Sequence, residues 1–208
     1  MTSESFLVVA VPALLAYLIG GLPFGYLFVR FSLGKDVRTM GSGNIGATNV
    51  HRTAGRKAGI VVLLLDIFKG WFAVWLAAIA SHGNAMTIAF AIVGVMLGHC
   101  YPVFLRFKGG KAVACFVGAF LFVAPQALLA TAMVFFLAVG ASKFISLGSI
   151  AGALAFPPLL WAIHHPPESI LFASIFASVL MIYRHRGNIE RLWMGTENAF
   201  SLKGGSAR

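Results

Sequence analysis

Three stretches of the chain combine glycine, asparagine and cationic side chains in patterns suited to holding phosphate. The first, GSGNIGATNVHR, runs from Gly41 to Arg52. Gly41, Gly43 and Gly46, with Ala47 beside them, let backbone N–H groups close around an anion. Ser42, Asn44, Thr48 and Asn49 supply side-chain hydrogen bonds, and Arg52 a two-pronged guanidinium. The second, GHCYPVFLRFKGGKAVA, spans Gly98 to Ala114. It sets Lys108, Gly109, Gly110 and Lys111 just ahead of an apolar helix, whose N-terminus carries a partial positive charge. The third, HRGNIERLWMGTE, carries His185, Asn188, Arg191 and Glu197. The chemistry these residues suit is neutralisation and hydrogen bonding of one or two phosphate groups.

Familiar motifs fit poorly. Gly41, Gly43 and Gly46 satisfy G-x-G-x-x-G, but no strand pattern precedes them and Asp66 lies in an apolar run, which excludes a dinucleotide fold. Gly41 and Gly46 have P-loop spacing, yet Ala47 stands where the lysine must be. A turn followed by a helix cap is the simpler use of the same residues. The histidine–aspartate pair HxxxxD is missing, since neither aspartate, Asp36 or Asp66, follows a histidine at that spacing. His185 and Glu190 give HxxxxE, but on a helix those two diverge while His185 and Asn188 share a face.

The elements that must position these residues are apolar helices. The 208 residues are 59% hydrophobic and 11% charged, with mean hydropathy +0.88 and net charge +10. A soluble domain is usually about a quarter charged. The chain therefore reads as one all-α, polytopic membrane domain over 1–208. Seven apolar segments are expected, at 5–30, 59–81, 85–105, 112–124, 125–140, 144–163 and 168–183. The N-terminus carries Glu4 rather than the basic region of a cleaved signal. Segment 112–124 covers only ~20 Å of a ~30 Å hydrocarbon core, and Pro125 marks a break after it. Charge selects seven spans over six. With the N-terminus outside, every Lys and Arg except Lys69 falls on one side, and the opposite loops near His82–Asn84 and His164–Glu168 hold none. The C-terminus is then cytoplasmic, and the polar stretches 34–57, 98–111 and 184–197 share that face. The positive charge is explained by the membrane rule, and no nucleic-acid partner is expected.

Cys100 and Cys115 sit in apolar runs without metal-like spacing and read as small buried hydrophobes. Asp66 and Lys69, at i, i+3 inside a span, read as an ion pair or a helix-to-loop link. His99 is placed to hydrogen-bond the pocket loops.

The three stretches, with LLLDIFKG at 63–70 and the intervening helices in order, resemble the bacterial acyl-phosphate:glycerol-3-phosphate acyltransferase family over nearly the whole chain. Cys115 departs mildly from a threonine or serine common in that family. The resemblance implies a multi-pass enzyme of the bacterial inner membrane with seven helices and a cytoplasmic active site. It implies transfer of a fatty acyl group from acyl phosphate to the 1-hydroxyl of glycerol 3-phosphate, giving lysophosphatidic acid and inorganic phosphate. Ser42, Lys111 and His185 would be the catalytic residues. Ser42 and the glycines of the first motif would hold the acyl-phosphate head. Arg52, His185 and Asn188 would hold glycerol 3-phosphate, with Lys111 between the two phosphates. No cofactor or metal is implied, and the oligomeric state is left open.

Elementary chemistry agrees with this. The fatty chain can lie between helices among membrane lipid, while cations offset the repulsion of two anions. The departing phosphate, with a second pKa of roughly 6, can take the hydroxyl proton itself. A transporter for an organic anion would use similar residues, but near mid-membrane between repeated halves. This chain shows no repeat and gathers its polar residues at one face.

Overall fold

A computed structural model gives the fold. It describes residues 3–200, with side chains from residue 7 onward. The tail LKGGSAR, with Lys203 and Arg208, lies outside the described residues. Among the described residues ten α-helices follow one another: α1 (Ser3–Gly20), α2 (Phe24–Leu33), α3 (Ala47–Ala54), α4 (Arg56–Ala80), α5 (Ala85–Cys100), α6 (Val113–Val123), α7 (Pro125–Ser142), α8 (Ile145–His164), α9 (Glu168–Arg184) and α10 (Arg186–Trp193). Five stretches among the described residues, Leu7–Leu33, Arg56–Ala80, Ala85–Leu105, Pro125–Ser142 and Ile145–His164, are long and apolar enough to cross a membrane. Pro125 opens α7, so 112–124 and 125–140 form separate helices, as the sequence suggests. With 11 residues α6 spans only ~16 Å.

The first apolar segment is not the continuous helix expected over 5–30. It breaks after Gly20 and resumes at Phe24. Pro23 has no N–H to continue the ladder and clashes with the preceding turn. The Leu22 carbonyl at the break accepts instead from the Lys69 ammonium of α4, at 2.7 Å.

Helices approach closely where side chains are missing. On α1 against α5, a Cβ at Gly98 would fall 2.0 Å from the Tyr17 carbonyl oxygen. On α6 against α4, one at Gly118 would fall 1.9 Å from the Ile67 carbonyl oxygen. Lipid offers little hydrophobic drive between helices, so close backbone packing carries the association. The core between α6 and α8 is aromatic: Phe116, Phe120 and Phe156 are buried with ring centres 4.4–4.8 Å apart. A second, smaller core of Val29, Val37, Ile45, Val50, Ala58, Val62 and Leu105 seats the first glycine stretch on α2, α3 and α4. The loops 34–46, 101–112 and 143–144 and the segment 185–200 meet one another, and together they hold the candidate functional residues.

Candidate active site

The first loop folds around one side chain. Asn49, in the first turn of α3, is 1% exposed. Its Nδ2 donates to the carbonyls of Val37 (3.2 Å), Met40 (3.0 Å) and Asn44 (2.8 Å), and its Oδ1 accepts from the Ser42 N–H at 2.8 Å. Gly41 has φ +55°, and a Cβ there would fall 2.3 Å from Asn49 Oδ1, so glycine is required. The Gly43 N–H is bonded to Met40 and the Gly46 N–H to Asn44 Oδ1. The glycines thus serve a folded hairpin that presents Ser42 and Asn44 outward. They do not form the open nest of free N–H groups that their spacing suggests.

The second loop is held from outside. Gly109 and Gly110 donate to the carbonyls of Cys100 and His99, at 3.2 and 3.0 Å. Their own carbonyls accept from Arg184 at the end of α9, at 2.8 and 2.9 Å. These two glycines are therefore consumed by the fold and cannot donate to a phosphate as anticipated. Ala112, which caps α6, and Arg106 and Phe107 all adopt positive φ without being glycine. Such strained backbone persists only where surrounding structure enforces it. Its effect here is to present Lys111.

The third stretch closes the site. His185 joins α9 to α10, is 3% exposed, and its Nδ1 lies 2.7 Å from the Met181 carbonyl. A carbonyl only accepts, so Nδ1 carries the proton and Nε2 the lone pair. Burial, the largest influence, pushes the imidazole down to about 4, so it is neutral at physiological pH. Lys111 donates to Asn188 Oδ1, and Asn188 Nδ2 donates to Glu197 Oε1 at 2.6 Å. Glu197 also accepts from Ser146 of α8 at 2.9 Å and from Arg191 at 2.7 Å. Burial pushes the Glu197 carboxyl up, but the hydrogen bonds from Asn188, Ser146 and Arg191 outweigh it and hold it below the usual range. Burial lowers the Lys111 ammonium to about 8, with Glu197 opposing and Arg191, Arg52 and Arg184 adding to the shift.

A cleft of about 420 Å³ results, lined by Ser42, Asn44, Lys111, Arg184, Arg186, Gly187, Asn188, Glu190 and Arg191. Four cations against one carboxylate make it an anion site. Of the residues singled out from sequence, Ser42, Asn44, Lys111, Asn188 and Arg191 line this cleft. Arg52, half-buried on α3, feels the charges of Glu197 and Arg191 beside it, and His185 and Glu197 adjoin through Asn188. Asn49, Gly109 and Gly110 hold the loops. Lys108 is exposed and does not line the cleft. His99 does not reach the cleft either: it lies buried beneath the second loop, its Nδ1 3.3 Å from Cys115 Sγ. Arg184, Arg186 and Gly187 were not singled out, and Glu190 only as the partner of His185 in HxxxxE. The one signal for Arg184 was its place immediately before the third stretch.

Comparison with known proteins agrees. The family model for glycerol-3-phosphate acyltransferase matches residues 10–195. The glycerol-3-phosphate acyltransferase of Myxococcus xanthus is 48% identical over 189 residues, covering 90% of this chain and 97% of its own. That of Syntrophotalea carbinolica is 44% identical over 188 residues, covering 90% and 95%. Two crystal structures of PlsY, an integral membrane glycerol 3-phosphate acyltransferase, superpose on 93% of this chain and 96% of theirs. The glycerol 3-phosphate form gives a TM-score of 0.87 at 38% identity, and the lysophosphatidic acid form 0.84 at 36%. With three motifs, their convergence and these likenesses in agreement, the chain belongs to the glycerol-3-phosphate acyltransferase family.

Proposed function

We propose that this protein transfers a fatty acyl group from acyl phosphate to the 1-hydroxyl of sn-glycerol 3-phosphate, releasing inorganic phosphate and lysophosphatidic acid. It does so as a seven-pass protein of the bacterial inner membrane, N-terminus outside and C-terminus cytoplasmic, with the cleft at the cytoplasmic face. The observation that carries this reading is the convergence of Ser42, Lys111, Asn188 and Arg191 on one cationic cleft at the basic end of an apolar bundle.

The residues divide the work. Arg52, Asn188 and Arg191 face the phosphate of glycerol 3-phosphate, and Ser42 with the first loop faces the acyl-phosphate head. Lys111 lies between them and stabilises the charge that gathers on the tetrahedral intermediate and the departing phosphate. The attacking hydroxyl forms the ester bond to the acyl carbon, the carbon–oxygen bond to phosphate breaks, and the proton leaves with the phosphate. His185 is poorly suited to take that proton. Burial pushes the imidazole down to about 4, below the second pKa of roughly 6 of the departing phosphate, so the phosphate is the better base. The neutral imidazole instead accepts a hydrogen bond through Nε2 and orients the glycerol.

Purified protein incubated with glycerol 3-phosphate and palmitoyl phosphate, palmitoyl-CoA or palmitoyl carrier protein in parallel tests the donor. Lysophosphatidic acid should form from the acyl phosphate alone, and Lys111→Met should lower turnover by about 10²–10³. Equal or faster turnover with either other donor would overturn the reading.

A further inference from the structure

Asp66, Lys69, His99 and Cys115 form a polar cluster buried between α4, α5 and α6, each at most 4% exposed. None of them lines the cleft. Charges sealed inside an apolar bundle are costly and call for a reason. The ligand atoms of Asp66, His99 and Cys115 lie within 4.8 Å of one another, a spacing open to a metal. Here, however, the Lys69 ammonium, 2.8 Å from Asp66 Oδ1, already serves as the cation.

The contacts made by the cluster lead to both glycine loops. In one direction, Lys69 donates to the Leu22 carbonyl at the break between α1 and α2. Three residues on, a Cβ at Gly25 would lie 1.9 Å from the Ile45 carbonyl oxygen, so α2 bears directly on the first loop, the loop that carries Ser42. In the other direction, Asp66 Oδ1 is 3.8 Å from His99 Nδ1, which also faces Cys115 Sγ at 3.3 Å. The opposite edge of the His99 ring supports the second loop: a Cβ at Gly110 would lie 2.2 Å from His99 Nε2. The His99 carbonyl accepts from the Gly110 N–H, and Lys111 is the next residue.

We propose that the Asp66–Lys69–His99–Cys115 cluster is a positioning device that sets Lys111 against Ser42 across the cleft by supporting both loops from below. The inference rests on the acyl-transfer reading given above. Asn188 and Arg191 are held separately by Glu197, whose charge Arg52 also feels, so disturbing the cluster leaves glycerol 3-phosphate binding largely intact. What is lost is alignment in the transition state, which appears in kcat rather than KM.

The test is a double-mutant cycle on Lys69→Met and His99→Gln in the full-length purified protein, with Cys115→Ala and Cys115→Ser as milder probes that keep the charge pair. Each of the first two variants should lower kcat about tenfold or more while KM for glycerol 3-phosphate stays within about threefold. The double variant should be little worse than the poorer single, because the alignment of Lys111 with Ser42 is lost once either arm of the cluster is cut. Cys115→Ala should lower kcat by about threefold to tenfold, and Cys115→Ser, which restores a polar atom facing His99, should recover it. Multiplicative losses in the cycle, a rise in KM at constant kcat, or wild-type kcat in both Cys115 variants would each overturn the positioning role. A wild-type protein that makes no lysophosphatidic acid from acyl phosphate would instead defeat the acyl-transfer reading itself.

Discussion

The two glycine-rich loops look alike in sequence and are built in opposite ways. The loop from Gly41 to Gly46 is organised from within, by one buried asparagine that bonds four backbone groups of residues 37–44. The loop from Lys108 to Lys111 is organised from without, by Arg184 of α9 above and His99 of α5 below. Glycine in the first serves a left-handed turn at Gly41, and in the second it admits neighbours that any side chain would displace. The shape of the first loop is therefore a local property, whereas the position of Lys111 depends on two distant helices packing correctly.

The sharpest way to break this contrast is Gly110→Ala. Its Cβ would meet a buried ring that cannot retreat. Overpacking of this kind costs about 1–3 kcal/mol, and displacing Lys111 should lower turnover about a hundredfold. Steady-state assay and thermal unfolding in detergent check both effects, and wild-type values in both would contradict external support of the loop. A smaller effect is expected for Asn49→Ala. It leaves the Ser42 N–H and the carbonyls of Val37, Met40 and Asn44 without this partner, at a cost of about 1–3 kcal/mol where water cannot replace it. The loss should fall on use of acyl phosphate, with affinity for glycerol 3-phosphate changed less than about threefold in direct binding measurements.

Much of this was legible in the residues. Apolar runs and Pro125 gave the helices, and the single-sided distribution of Lys and Arg put the polar stretches at one end. The interruption at Pro23 was also written there, in Gly20-Gly21-Leu22-Pro23, but the apolar run concealed it. Spacing could not show which polar groups the fold would use up. Asn49 and Ser42 are both small polar residues in one motif, yet one is buried as a scaffold and the other lines the cleft. Gly109 and Gly110 suit an anion by composition, but their backbone groups are taken by His99, Cys100 and Arg184. Those partners come from far along the chain, so only packing reveals them.

The smallest effect expected is one of pH. Lys111 lies near 8 in the folded protein, below an exposed lysine, so the folded state holds fewer protons at this site between about 8 and the ordinary lysine range. Its contribution to stability therefore rises with pH across that window. Turnover should move the other way, falling as the ammonium discharges above about pH 8. Lys111→Arg should push that loss of turnover to higher pH. A rate profile unchanged by the substitution would remove Lys111 from the groups that stabilise the transition state.

Turnover of His185→Ala at saturating acyl phosphate and glycerol 3-phosphate tests most directly whether the cleft works by positioning and neutralisation without a protein base. A kcat within about tenfold of wild type, with a raised KM for glycerol 3-phosphate, is predicted. A collapse of kcat at saturation, restored by added imidazole, would contradict it and make the histidine the base.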